Sequence, residues 1–299
     1  MADSGDLARE RLQREVLAAA VLRLADANGG YLLWEQLTAV PLSDGSTLRV
    51  VDPGRGGIWN PRELTATLSI VTSPDGPYPD REANGLLQYH YQRGPEGGKN
   101  LKLRRAMELG LPILRLKKVA KGVYVPIFPV YVVGDNPVTR EFTLSLDEHL
   151  RLIDGDAGLS PVEKEYATRL VEQRVHQPAF RARVMLAYDG TCCVCRLKHP
   201  ELLDAAHIIE DAADQGDPVV PNGLSLCKIH HAAYDRELLG ISPDYQVHIN
   251  VALLEEVDGP MLKHGLQEMH GQRIVTPTRA PDRPDRERLD IRFRRFLSA

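Results

Sequence analysis

Two chelating pairs stand 31 residues apart in this chain, Cys192-x2-Cys195 and Cys227-x2-His230. Four sulfur and nitrogen donors supplied as two short pairs suit a four-coordinate structural zinc ion. Cys193 is the spare thiol, because pairing it with Cys195 leaves one intervening residue and a poor tetrahedral bite. Residues Met1 to Glu10 are polar and acidic and do not read as a secretory signal, so a cytoplasmic chain is expected. There, three cysteines within four residues favour a metal over disulfides. Buried free cysteines are the plainer alternative. The surrounding segment is rich in Gly, Asp and His and offers little core, so an ion's binding energy becomes folding energy.

Interleaved with those pairs are His207, in the run Leu202 to Ile209, then Asn222, in Pro221-Asn222-Gly223, and His231, directly after His230. The order reads as strand, loop, strand, chelating pair, helix, with Gly240 closing the helix. His207, Asn222 and His231 resemble the three residues of the HNH nuclease motif. Their setting is similar to the ββα-metal fold of its zinc-bearing members, and the likeness covers Tyr188 to Leu239. Hydrolysis of a phosphodiester needs an in-line water, a base for its proton and positive charge near the leaving oxygen. The resemblance implies His207 as that base and His231 as holder of a catalytic Mg²⁺ or Mn²⁺. Asn222 would orient the loop or His207, or touch the metal. Many members carry a metal-binding aspartate just before the first histidine; here that position is Ala206, and Asp204 is the substitute. The reverse partition of His230 and His231 stays open. So does a blander reading, a zinc-containing DNA-binding regulator that does not cut.

Something else must position and direct that site. The 299 residues suggest two domains, and 43% hydrophobic residues suffice for two cores. No run approaches the roughly 20 apolar residues of a membrane span. Net charge is −4, without the basic excess of many nucleic-acid binders, yet between Tyr91 and Gly122 nine bases face two glutamates.

Residues 6–27 read as a helix with Leu12, Val16, Ala20 and Leu24 on one side. Short strands follow at Leu48 to Val51, Ala66 to Val71, Leu86 to Tyr91, Ile113 to Val119 and Val123 to Val133, with a helix at Leu101 to Leu109 and another strand through Phe142, Leu144 and Leu146. Pro126 and Pro129 cannot donate to a ladder, so their run lies at an edge or a bulge. Ser160-Pro161-Val162-Glu163 reads as the capped start of a linker helix. A second helix follows with Phe180 and Val184 inward, and a last one carries Leu289, Phe293 and Phe296.

Within the first half, Tyr78-Pro79-Asp80-Arg81, the aromatic strand Leu86 to Tyr91, Gly97-Gly98-Lys99-Asn100, Gly110 to Arg115 and Gly122 to Val125 follow one another in an order similar to the SRA (SET-and-RING-associated) domain, over about 55–135. Such domains flip a modified cytosine out of the duplex between aromatics. The resemblance implies that Tyr78 and Tyr91, or else Tyr89 or His90, stack on the base and that Asp80 accepts from its amine, although the family's acidic position falls nearer Arg81. Arg93, Lys99, Arg104, Arg105 and Lys117 would contact phosphates. Ordinary strand tyrosines are the alternative.

The joined expectation is an α+β chain: an N-terminal helix at 1–30, an SRA/PUA-like β-barrel reader at 31–150, a helical linker at 151–178 and a zinc-stabilised HNH domain at 179–299. It would bind double-stranded DNA carrying methylated or hydroxymethylated cytosine and act as a homodimer, since a double-strand break needs two such sites. A reader of sequence, or of another modification such as phosphorothioate, is the variant reading.

Overall fold

The computed structural model describes residues 4–54, 56–73, 81–83, 86–92, 98–146, 177–211, 213 and 215–299. The chain divides into two compact units, Met1–Ala179 and Phe180–Ala299. The linker helix expected from Ser160 lies outside the described residues.

The first unit opens with helix α1, Ser4–Ala27. Its buried side keeps Ala20 and Leu24 of the expected stripe but not the other two residues. Leu12 and Val16 are 62% and 54% exposed, whereas Leu17, Ala18, Val21 and Ala25 are buried beside Glu10 and Arg14. The charged pair sets that face. Arg14 is fully buried, donates to the carbonyls of Ala66, Thr67 and Pro112, and is held by Glu10 at 2.6 Å. A buried guanidinium is tolerated only with its donors matched in this way.

The strands are β1 Leu32–Leu33, β2 Val40–Pro41, β3 Thr47–Leu48, β4 Ile58–Trp59, β5 Ser69–Thr72, β6 Arg81–Ala83, β7 Leu86–His90, β8 Ile113–Ala120, β9 Val123–Asn136 and β10 Glu141–Ser145, with helices α2 Trp34–Thr38 and α3 Lys99–Leu109 among them. Eight of them build a mixed sheet in the order β4-β5-β8-β9-β10-β7-β6, with β1 added beside β9, and β5 and β8 run parallel, while β2 and β3 pair with each other. The barrel expected from the sequence does not close, because no ladder joins β4 to β6 among the described residues. Side chains span part of that gap: Glu82 of β6 pairs with Arg115 at 2.8 Å and Lys117 at 3.1 Å on β8. One face of the sheet buries Ile70, Leu87, Ile113, Phe142 and Leu144 against Leu103 of α3. The other buries Leu32, Val50, Leu114 and Leu116 with Leu17 and Val21 of α1. Each such side chain contributes roughly 1.5–3 kcal/mol.

Strand β9 explains its prolines. Its first part, Val123 to Val130, pairs with β8, and its second part, Tyr131 to Asn136, pairs with β10. Pro126 and Pro129 fall in the first part, where beyond the short β1 contact at Val123 and Tyr124 the ladder is one-sided and its register shifts opposite Ile127 to Val130. A missing N–H costs least in such a place.

The second unit begins within helix α4, over 177–187. Then come β11 Leu203–His207, β12 Gly223–Cys227, α5 Lys228–Asp235, β13 Leu239–Ile241, β14 Val247–Ile249, α6 Val251–Glu255, α7 Pro260–Gly265 and α8 Arg286–Ser298. Gly240 does not close α5, as the sequence suggested. That helix stops at Asp235, and Gly240 lies within β13, where an added Cβ would sit 2.6 Å from the ring of Phe296. Its lack of a side chain seats α8 on the strand. The Asp285 carboxylate caps α8 by accepting from the Arg288 N–H at 2.9 Å. No helix among the described residues is long and apolar enough to cross a membrane.

Candidate active site and metal centre

The strands β11 and β12 pair from Leu203↔Cys227 to His207↔Gly223, so one hairpin holds the first catalytic candidate at one end and a metal donor at the other. Leu224 and Leu226 are fully buried on one face and Leu203 on the other, so the hairpin is covered on both sides. Helix α4 crosses the hairpin with Phe180, Val184 and Tyr188 at i, i+4 and i+8. An added Cβ at Gly223 would meet Val184 Cγ2 at 2.4 Å and Phe180 Cζ at 3.0 Å. The Tyr188 hydroxyl donates to the Gly223 carbonyl at 3.2 Å.

The donor atoms of Cys192, Cys195, Cys227 and His230 all lie within 4.8 Å of one another. Tetrahedral zinc with bonds of about 2.0–2.3 Å needs ligand separations of roughly 3.3–3.8 Å. The Cys195 and Cys227 sulfurs are 3.9 Å apart, and His230 Nδ1 is 3.5 Å from Cys192 Sγ and 3.1 Å from Cys227 Sγ. His230 Nε2 faces the Gly265 carbonyl at 2.7 Å. A carbonyl only accepts, so Nε2 carries the proton and the Nδ1 lone pair is left for an ion, the arrangement that orients metal-bound imidazoles. The donors also compete for protons. Hydrogen bonds with Cys195 and Cys227 pull the Cys192 thiol far down, and its bond to Cys192 drives Cys195 far up. For His230, burial acts downward but hydrogen bonds to Cys192 and Cys227 prevail and raise it to about 10. A cation replacing those protons satisfies all four groups. Cys193 stays out of the cluster: it is fully buried, its N–H donates to Ser225, and burial pushes its thiol up.

Asn222 is fully buried and pins the loop that leaves His207. Its Oδ1 accepts from Ile209 N at 2.9 Å, and its Nδ2 donates to the Ile209 and Asp217 carbonyls. His207 lies flat on Phe180, with centroids 4.0 Å apart and planes 15° from parallel. Burial lowers its pKa, His231 lowers it further, and Asp211 opposes them. His231, on α5, holds Asp204 Oδ2 at 3.2 Å through Nδ1 and Asp235 at 3.4 Å through Nε2. Asp204 bonds Lys228 at 2.5 Å through its other oxygen. The His231 bond, seconded by Lys228 against the effect of burial, holds the Asp204 carboxyl at about 2. His231 is raised, chiefly by Asp204. The pair presents one nitrogen and one oxygen side by side, donor types that a small divalent cation accepts.

In the first unit, Tyr78, Asp80 and Arg93 lie outside the described residues. Tyr89 is a core residue, 5% exposed. Tyr91 packs on Phe142 with centroids 4.7 Å apart and donates its hydroxyl to Asp135, which Arg104 also binds. His90 points to the other side of β7 and pairs with Glu141. Lys99 pairs with Asp52, Arg105 with Glu108 and Lys117 with Glu82, so each described phosphate candidate already holds an acid of its own chain. Sequence spacing did not reveal the Phe180 stack; its only signal was an aromatic on the inward side of a helix.

The HNH endonuclease family model matches residues 192–242, which cover both donor pairs, the hairpin and α5. That segment is an HNH endonuclease domain. No curated protein matches the chain. Among solved structures it is similar to the modification-dependent TagI restriction endonuclease, at 17% identity over 80% of this chain and 84% of that one, TM-score 0.28. It is also similar to the SUVH5 SRA domain crystallised with hemimethylated CG DNA, at 23% identity over 32% and 74%, TM-score 0.26. The same domain with fully hydroxymethylated CG DNA gives 23% identity over 32% and 76%, TM-score 0.25.

Proposed function

We propose that this chain is a modification-dependent DNA endonuclease, with a reader at 31–150, a helical linker at 151–178 and the cutter at 179–299. The observation that carries it is the pairing of His207 with a loop pinned by Asn222, beside the Asp204–His231 pair. In this reading His207 takes a proton from the attacking water. Its lowered pKa keeps it neutral near pH 7, as a base must be. Asn222 holds the backbone after His207. Asp204 and His231 would hold a divalent ion, Mg²⁺ or Mn²⁺, which supplies positive charge toward the leaving oxygen. Cys192, Cys195, Cys227 and His230 would hold structural Zn²⁺.

The SRA resemblance of 55–135 supports a reader of methylated or hydroxymethylated cytosine by base flipping, with Tyr78, Asp80 and a second aromatic at the base. Two chains on one duplex, as a homodimer, would cut both strands. The test is cleavage, with Mg²⁺ or Mn²⁺, of matched plasmids that are unmodified, methylated or hydroxymethylated. Preference for a modified plasmid and its loss in Tyr78→Ala are expected. Equal cutting of all three would overturn the reader, and binding without cutting would leave only a regulator.

A second reading follows from the buried Tyr89 and the hydrogen-bonded Tyr91. Neither ring lies free to stack, which favours recognition of sequence or of a backbone modification such as phosphorothioate. Phosphorothioate-dependent cutting of unmethylated DNA would establish it.

A further inference from the structure

A general base is ordinarily held by a second hydrogen bond on the ring nitrogen remote from its proton transfer. His207 has none: its Nε2 is buried without a hydrogen-bond partner among the described residues. Something other than hydrogen bonding must fix the ring plane. The flat contact with Phe180, 4.0 Å between centroids, lies on one face of the imidazole. Offset or parallel aromatic contacts of this kind are worth about 0.5–1.5 kcal/mol beyond burial, enough to select one ring orientation.

Two features keep Phe180 there. Gly223 is the ladder partner of His207, and its missing side chain is the space that Phe180 and Val184 occupy. Arg181, the next residue on α4, ties the helix to the hairpin by donating to the carbonyls of Pro200 and Leu203 at 2.9 and 2.8 Å. The charges of α4 are engaged elsewhere, with Arg183 donating to the Pro218 carbonyl. The charged groups acting on His207 are Asp211 and His231. The face toward α4 is therefore apolar and fixed.

The geometry points to Phe180 as the positioning residue of the nuclease base: it sets the plane of the His207 ring and keeps that face dry. This rests on the reading of His207 as the base. Phe180 lies outside the stretch that matches the HNH model, so the cutter would borrow its alignment from the preceding helix.

The experiment compares the full chain with Phe180→Leu, Phe180→Tyr and His207→Ala on a plasmid the wild type cuts. It follows kcat and KM against pH, with zinc content and Tm measured alongside, and titrates His207 by NMR. Phe180→Leu should lower kcat roughly 10- to 100-fold, the scale of a small misplacement of a catalytic group. KM and zinc content should hold, and the His207 titration should move upward. Phe180→Tyr should restore most of the rate. Wild-type kcat and titration in Phe180→Leu, with His207→Ala inactive, would overturn the role of Phe180 alone. Full cutting by His207→Ala would overturn the base and this proposal together. Should Phe180→Leu lose zinc, Phe180→Met at retained Tm decides on the same readouts.

Discussion

Asp204 and His231 face each other across 3.2 Å, one from the first strand of the hairpin and the other from the helix after it. Asp204→Asn keeps the shape and removes the charge. Cleavage should fall by roughly 10- to 100-fold, as for loss of a group that orients or ligates a catalytic ion. The change in Tm should be small, because the pair is partly exposed and such pairs contribute about 0–1 kcal/mol. The pH dependence follows from the two shifts. Asp204 is depressed to about 2, so its contribution is complete above its unfolded value near 4 and fades as pH falls toward 2. His231 is raised, so its contribution is complete below its unfolded value near 6.5 and fades as pH rises through the folded one. The Tm difference between wild type and Asp204→Asn should therefore be largest from about pH 4.5 to 6.5. A difference that grows above pH 8 would contradict the pairing.

Cys192 and Cys193 are neighbours with opposite expected outcomes. Cys192→Ser removes a cluster donor and should abolish stoichiometric zinc together with the cooperative unfolding of 180–299. Cys193→Ala leaves all four donors and should cost only about 1 kcal/mol, the value of one buried small group. Metal analysis and thermal melts separate them. Zinc loss in Cys193→Ala would move the ligand assignment.

The spacing of the donors made that cluster legible, because each pair is a local chelate whose bite depends on two intervening residues. The order strand, strand, helix was legible for a similar reason, since the alternation and the donor pairs punctuate it. What could not be read depends on contacts across the chain. Of the expected stripe Ala20 and Leu24 face the core but Leu12 and Val16 do not, because the buried Arg14, held by Glu10, must reach the carbonyls of residues 66, 67 and 112. Closure of the sheet turns on whether β4 meets β6, which no local pattern states. Tyr89 and Tyr91 looked equally available in sequence, yet one is core and the other is tied to Asp135.

Arg14→Ala tests the first of those contacts. It leaves three carbonyls and a carboxylate without their donor, and breaking a buried pair of this kind costs about 3–5 kcal/mol. Denaturation of the first unit should shift by that amount while zinc content stays intact. An unshifted midpoint would mean that α1 is held by its apolar side chains alone.

Gly223→Ala places a methyl 2.4 Å from Val184. Overpacking of this size costs about 1–3 kcal/mol and displaces α4. Of the four metal donors only Cys227 is on the hairpin, at the end opposite Gly223, so metal content should hold while cleavage falls. Unchanged cleavage would show that the helix can yield without disturbing His207.

The hydrogen bond from His230 to the Gly265 carbonyl gives the metal centre a reach beyond its four donors. The imidazole that offers one nitrogen to an ion grips, with the other, the end of α7, 35 residues further along the chain. An ion held at the Nδ1 of that ring would thus be linked to the anchoring of the later segment, and would act as a clasp for a stretch of polypeptide it does not touch.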